Sequence, residues 1–156
     1  MVDGDDYLLG RQVLKVFNAV FQEKGLWFVY SNFLMGSGEL GYSRPFPKEV
    51  IRENAYRSSA FVSSHLRAFY TKLFKNIEEK DLRNDYGSYF RAANDVAICF
   101  PVLEQAHLKV GYLPEMTYFY TADTGINNHF IRLDEQKANE MSVRNRNKYA
   151  PLEKLF

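Results

Sequence analysis

The sequence predicts an α/β domain in which helices flank a mixed sheet. Apolar side chains recur at helical spacing from Leu9 to Phe21, and Gly25 then supplies a common helix end. Residues 26–34 (LWFVYSNFL) are rich in aromatic and β-branched side chains, which favour a buried strand. Residues 109–122 predict a later strand. Helices and strands that alternate in this way along a chain are typical of α/β folds.

The segments around these two strands supply the other elements. Residues 35–47 contain three Gly and two Pro, which favour a long loop, and such loops often have a functional role. Pro101 lies inside an apolar stretch and is expected to kink or divide a helix there. In chain order, the remaining predictions are a strand at 60–69, a short helix at 70–77, a polar connection at 78–87, a helix at 89–106, a turn-rich loop at 124–132 and a surface helix at 133–148.

The size and composition are those of one folded domain. The chain has 156 residues, of which 46% are hydrophobic and 25% are charged. We therefore expect a single domain over residues 1–156 with its own core. The one cysteine, Cys99, excludes an internal disulfide and lies in the apolar run VAICF, where a small buried side chain is expected.

The charge and hydropathy patterns exclude several classes of partner. A formal net charge of +1 argues against a dedicated binder of nucleic acid. No run of about 18 apolar residues is present, so no transmembrane segment is predicted. The N-terminus lacks the basic and apolar regions of a signal peptide. A cytoplasmic location is therefore expected.

The acidic group at the start of the chain is the clearest chemical motif. The sequence Asp3-Gly4-Asp5-Asp6 places three carboxylates within four positions. Oxygen ligands gathered in this way suit a hard divalent cation, and Mg²⁺ is usually held by one or two carboxylates and the phosphates of a nucleotide. The same residues also suit a turn with an acidic cap before the next helix. The residues alone leave both interpretations open.

The acidic group is the first of several motifs that follow one another along the chain. They are VDGDDYL at 2–8, SHLRAF at 64–69, Asn94-Asp95 at the start of an apolar helix, GYLPE at 111–115 and NNH at 127–129. Together they resemble the metal-binding and acceptor-side half of family 2 glycosyltransferases, which are inverting enzymes with the GT-A fold. The resemblance implies a partial GT-A fold, with the N-terminal nucleotide-binding half absent from this sequence. A companion chain that carries this half, or a homodimer that pairs an open sheet edge, is therefore expected.

The resemblance also implies roles for individual residues. Asp5, Asp6 and His129 are implied as ligands of Mn²⁺ or Mg²⁺, and Asp3 is implied as a contact to the nucleotide ribose. Asp95 is implied as the general base, although Asn94 stands where the family usually has an acidic residue. From the residues alone, Asp95 also suits a helix cap and His129 also suits an exposed loop.

Two residues on the predicted strand at 60–69 are further candidates. His65 and Arg67 alternate with Leu66, so they are expected to face the same side of that strand. Arg67 can there contact a phosphate of the nucleotide, or it can form a structural ion pair.

The function that the resemblance implies is the metal-dependent, inverting transfer of a sugar from a nucleotide-sugar donor to a glycan or another hydroxyl acceptor. A first alternative is a non-catalytic remnant or partner subunit of a split glycosyltransferase, because the nucleotide half has no counterpart here. A second alternative is an unrelated α/β domain with a metal-dependent hydrolase site.

Overall fold

Four strands in the described part of the chain form one mixed sheet. They are β1 (Tyr7–Leu8), β2 (Phe28–Met35), β3 (Arg67–Phe69) and β4 (Val110–Tyr120), and their order across the sheet is β1–β4–β2–β3. The central strands β4 and β2 are parallel, whereas β1 is antiparallel to β4 and β3 is antiparallel to β2. The structure is a computed structural model, and it describes residues 1–121 and 133–156.

Five helices accompany the sheet in these residues. They are α1 (Val13–Lys24), α2 (Lys48–Arg52), α3 (Thr71–Lys75), α4 (Asn94–Ala106) and α5 (Leu133–Arg144), and short 3-10 turns lie at Tyr56–Ser58 and Glu79–Leu82. Gly25 ends α1 in the left-handed conformation with φ of 61°, as the sequence predicts. Pro101 lies inside α4 without dividing it. The predicted mixed α/β architecture with flanking helices is therefore confirmed.

The core consists of two apolar clusters that share strand β2. Phe28 and Tyr30 belong to the cluster that contains most of the buried residues of α4. Val29 and Phe33 belong to the cluster that contains the buried residues of α1. Because neighbouring residues of a strand face opposite sides of the sheet, β2 is covered on both faces. This explains why its sequence is a nearly continuous apolar run.

Two of the predicted elements differ from the observed ones. The strand predicted at 60–69 is limited to Arg67–Phe69. Residues 62–66 before it are buried but belong to no strand. Of these, Leu66 still contacts β2, because its carbonyl oxygen accepts from the backbone N–H of Ser31 and its own N–H donates to Oγ of Ser31, both at 3.0 Å. The helix predicted at 89–106 begins only at Asn94, because Ala93 has a φ of 60°, which helical residues do not adopt.

Strand β1 was not predicted, and it follows the acidic group rather than preceding it. Its two residues pair with Tyr118 and Phe119 of β4, which places residues 3–6 beside the end of that strand. The loop predicted at 124–132 lies outside the described residues. No helix in residues 1–121 and 133–156 is long and apolar enough to cross a membrane.

Candidate functional site

Two of the three acidic residues come together with a histidine. One ligand atom from each of Asp3, Asp6 and His65 lies within 4.8 Å of the other two. His65 comes from the segment before β3, and the two aspartates come from the turn before β1. We call these three residues the acidic cluster. Asp5 is exposed and lies outside it, and His129 lies outside the described residues.

The end of β4 holds the acidic residues in place. The hydroxyl of Tyr118 donates to Oδ2 of Asp6 at 2.7 Å and accepts from the backbone N–H of Asp3 at 3.0 Å. The backbone N–H of Thr121 donates to Oδ1 of Asp6 at 2.8 Å, and its hydroxyl donates to the carbonyl oxygen of Asp5 at 2.7 Å. Each carboxylate oxygen of Asp6 therefore has one fixed donor and keeps lone-pair capacity for another partner.

Aromatic side chains surround the ring of His65. The ring stacks on Tyr118, with centroids 4.7 Å apart and an interplanar angle of 8°, and on Tyr120 at 5.3 Å. Phe33 meets the ring edge-on at 5.4 Å. His65 is only 8% exposed, and burial, helped by the charge of Arg67, lowers its pKa to about 3. The imidazole is therefore neutral at neutral pH.

Arg67 connects the acidic cluster to Asp95. Its guanidinium donates to Oδ2 of Asp95 at 3.0 Å and lies 3.4 Å from Nδ1 of His65. Arg67 is 1% exposed, whereas the side chain of Asp95 is 32% exposed. The second carboxylate oxygen of Asp95 accepts from the backbone N–H of Val96 at 2.9 Å. Of the two roles that the sequence left open for Arg67, the ion pair is present.

Asp3 lies among other carboxylates. Burial raises the pKa of Asp3; Arg67 opposes this rise, and the nearby carboxylates of Asp6, Asp95 and Asp5 add to it. Burial and the nearby carboxylates therefore destabilise the charged form of Asp3. A divalent cation removes that cost, and carboxylate oxygens are the ligands that Mg²⁺ prefers and that Mn²⁺ accepts. The two carboxylates of the acidic cluster fit such an ion.

One side chain of the loop after β2 reaches the aromatic residues around His65. Tyr42 is 53% exposed, and its ring meets Phe33 edge-on at 5.7 Å. Phe33 in turn contacts both His65 and Tyr120. The functional role that the sequence suggested for the loop at 35–47 stays a prediction.

Sequence reasoning missed the aromatic residues of the site. Tyr118 and Tyr120 were not singled out as partners of the acidic residues. Their spacing of two along a predicted strand was the available signal, because it places both on one face. Nothing local to β4 showed that this face meets the start of the chain.

Comparison with models of protein families gives no match for this chain, and comparison with curated proteins gives none either. The resemblance to family 2 glycosyltransferases therefore rests on the motifs in the sequence.

Proposed function

We propose that this protein is a metal-dependent glycosyltransferase, or the acceptor-side part of one. It transfers a sugar, with inversion, from a nucleotide-sugar donor to a hydroxyl group of a glycan or another acceptor. One observation carries the proposal. Arg67 contacts both His65 of the acidic cluster and Asp95, and the charge of Asp95 raises the pKa of Asp3, so the acidic cluster and Asp95 are near each other. A cation-binding group and a candidate base therefore adjoin each other.

On the donor side, Asp3 and Asp6 would hold Mn²⁺ or Mg²⁺, with Asp5 as a further candidate ligand. The cation, when bound, supplies neutralising charge to the diphosphate leaving group. Tyr118 and Thr121 fix both oxygens of Asp6 through hydrogen bonds of 2.7 and 2.8 Å. This orientation is set before any ligand arrives, which lowers the entropic cost of binding.

On the acceptor side, Asp95 is the residue that takes the proton of the attacking hydroxyl. Its carboxylate is partly exposed and is held by Arg67 on one oxygen and by Val96 on the other. Each oxygen keeps a lone pair for an acceptor hydroxyl at about 2.6–3.2 Å. Arg67 is a positioning residue in this scheme, because it acts through Asp95. The phosphate contact that the sequence suggested for Arg67 stays a prediction.

Calorimetry with Mn²⁺ and a nucleoside diphosphate tests this function. UDP and GDP are each titrated into the protein in the presence of Mn²⁺. We expect a heat of binding for one of them, lost in Asp6→Asn and kept in Asp95→Asn. Asp85→Asn removes an exposed carboxylate from a distant loop and serves as the matched control. In an assembly that is competent for transfer, Asp95→Asn should abolish the transfer.

A second candidate is a partner subunit that needs another chain to complete its sheet. Among the described strands, none pairs with residues 110–116 of β4 on the side of β1, because β1 covers only Tyr118 and Phe119. An open strand edge of this kind is a pairing site for a further strand. No heat for UDP or GDP with the isolated chain, followed by heat once a companion chain is added, would favour this candidate. No heat in either experiment would contradict both.

A further inference from the structure

The ring of His65 has no free lone pair for a cation. Nη2 of Arg67 lies 3.4 Å from Nδ1 of His65. A guanidinium group only donates hydrogen bonds, so Nδ1 is the acceptor in this contact. A neutral imidazole has one nitrogen that accepts and one that carries the proton. The proton of His65 is therefore at Nε2.

The surroundings prevent Arg67 from releasing this nitrogen. The guanidinium is buried, and its Nη1 donates to Oδ2 of Asp95 at 3.0 Å and lies 3.6 Å from Sγ of Cys99. The backbone of Arg67 is paired with Tyr30 in the sheet. The His65 ring is held in turn by its stacking on Tyr118. Moving the proton of His65 to Nδ1 would place that N–H next to an N–H of Arg67, so that two buried donors would face each other without an acceptor.

This arrangement is the reverse of the one that metal-binding histidines use. A histidine that coordinates a metal almost always donates its other ring N–H to an acceptor, which fixes the ring. Here the group beside Nδ1 is a donor. Whichever nitrogen faces Asp3 and Asp6, one is engaged by Arg67 and the other carries a proton. The proximity of His65 to the two carboxylates therefore has a different explanation from ligation.

We infer that His65 is a neutral hydrogen-bond donor, through Nε2, to anionic oxygens at the acidic cluster, and that it is not a ligand of the cation. In the free protein, a ligand atom of His65 lies within 4.8 Å of a carboxylate oxygen of Asp3 and of Asp6. The identity of the anion in the complex, a phosphate oxygen of the donor, rests on the proposed function. The described ligands of the cation are then carboxylate oxygens, a set that both Mg²⁺ and Mn²⁺ accept.

NMR spectra that correlate ring nitrogens with ring protons test the inference. They report the tautomer of each histidine in protein labelled with ¹⁵N-histidine. The chain has three histidines, so His107→Gln and His129→Gln assign two signals and leave the third to His65. We expect His65 to be in the Nε2–H form, before and after addition of Mg²⁺ and UDP. An Nδ1–H form, or loss of the Nε2 proton when Mg²⁺ is added, would overturn the inference.

Mn²⁺ affinity, measured by electron paramagnetic resonance, gives a second readout. Because glutamine keeps a side-chain N–H donor, His65→Gln should change the dissociation constant by less than about threefold, whereas Asp6→Asn, which removes a ligand, should raise it by about tenfold or more. A loss of Mn²⁺ affinity in His65→Gln as large as the loss in Asp6→Asn would overturn the inference. Because the tautomer is measured in the metal-free protein, it decides the inference even where neither Mn²⁺ nor UDP binds. Absence of binding, with and without a companion chain, would overturn the proposed function instead.

Discussion

Arg67 is the residue on which the organisation of the site depends. It is buried, carries a permanent charge, and has Asp95 as its carboxylate partner among the described residues. Its Nε has no hydrogen-bond partner in the same part of the chain. The cost of burying this charge is therefore offset mainly at Asp95. Arg67 is buried, whereas Asp95 is partly exposed. Removing one partner therefore changes the free energy of unfolding by a different amount from removing the other.

This inequality predicts different costs for removing the two partners. Asp95→Ala leaves an uncompensated buried charge, which should lower the free energy of unfolding by about 3–5 kcal/mol. Arg67→Met leaves a carboxylate that water can reach, which should cost about 1–2 kcal/mol. Urea unfolding at fixed pH measures both values. Arg52→Ala, in the exposed pair with Glu53, is the control and should cost about 0.5 kcal/mol or less. A larger cost for Arg67→Met than for Asp95→Ala would contradict this account.

At the scale of elements, helix α4 links the site to the core. Asp95 lies in its first turn, and the residues from Val96 to Ala106 are almost all buried. Buried Glu104 of this helix pairs with Arg57 at 2.6 Å, and Arg57 also donates to the backbone of α5 through the carbonyl of Val143. The base candidate is thus placed by a helix that the core holds firmly.

The reactivity of the Cys99 thiol measures how firmly α4 stays packed in the native protein. Burial raises the pKa of Cys99, although the nearby guanidinium of Arg67 opposes the rise. We expect no reaction with a disulfide reagent such as DTNB at about pH 8 in the native protein, because the reactive thiolate is both scarce and covered. Labelling should follow unfolding as urea is added. Fast labelling without urea would show that α4 opens, and Cys99→Ala is the control for other absorbance changes.

The elements that the sequence predicted well are those with a strong local signal. Strand β2 and helix α1 have clear periodicity, and Gly25 marks the end of the helix. The predicted strand at 60–69 was mostly wrong, because only residues 67–69 form a strand, whereas the buried segment before them hydrogen-bonds to β2 through Leu66. Strand β1 is two residues long and exists through its pairing with β4, so no local pattern marks it.

The site also combines features that have a local sequence signal with features that depend on strand pairing. Asp3 and Asp6 form a local motif, and the alternation of His65 with Arg67 correctly placed both side chains near one another. The stacking of His65 on Tyr118 and the anchoring of Asp6 by Thr121 depend on how distant strands pair. Sequence spacing could not supply that register.

At the scale of the whole molecule, the sheet brings the proposed cation ligands and the proposed base to one place. Residues 3–6 dock on the end of β4, His65 and Arg67 lie in and before β3, and Asp95 opens α4. Three separate stretches of chain therefore supply one polar network. In the same sheet, none of the described strands pairs with residues 110–116 of β4 on the side of β1.

Paramagnetic broadening by Mn²⁺ tests the central claim, that a cation at the acidic cluster shares its site with Asp95. NMR spectra of ¹⁵N-labelled protein are recorded as Mn²⁺ is added, with Mg²⁺ as the diamagnetic control. The signals of Asp3, Asp6 and His65 should broaden first and those of Arg67 and Asp95 next. Asp6→Asn should need far more Mn²⁺ for the same effect. Broadening that is uniform, or that centres on another surface and spares Asp95, would contradict the account.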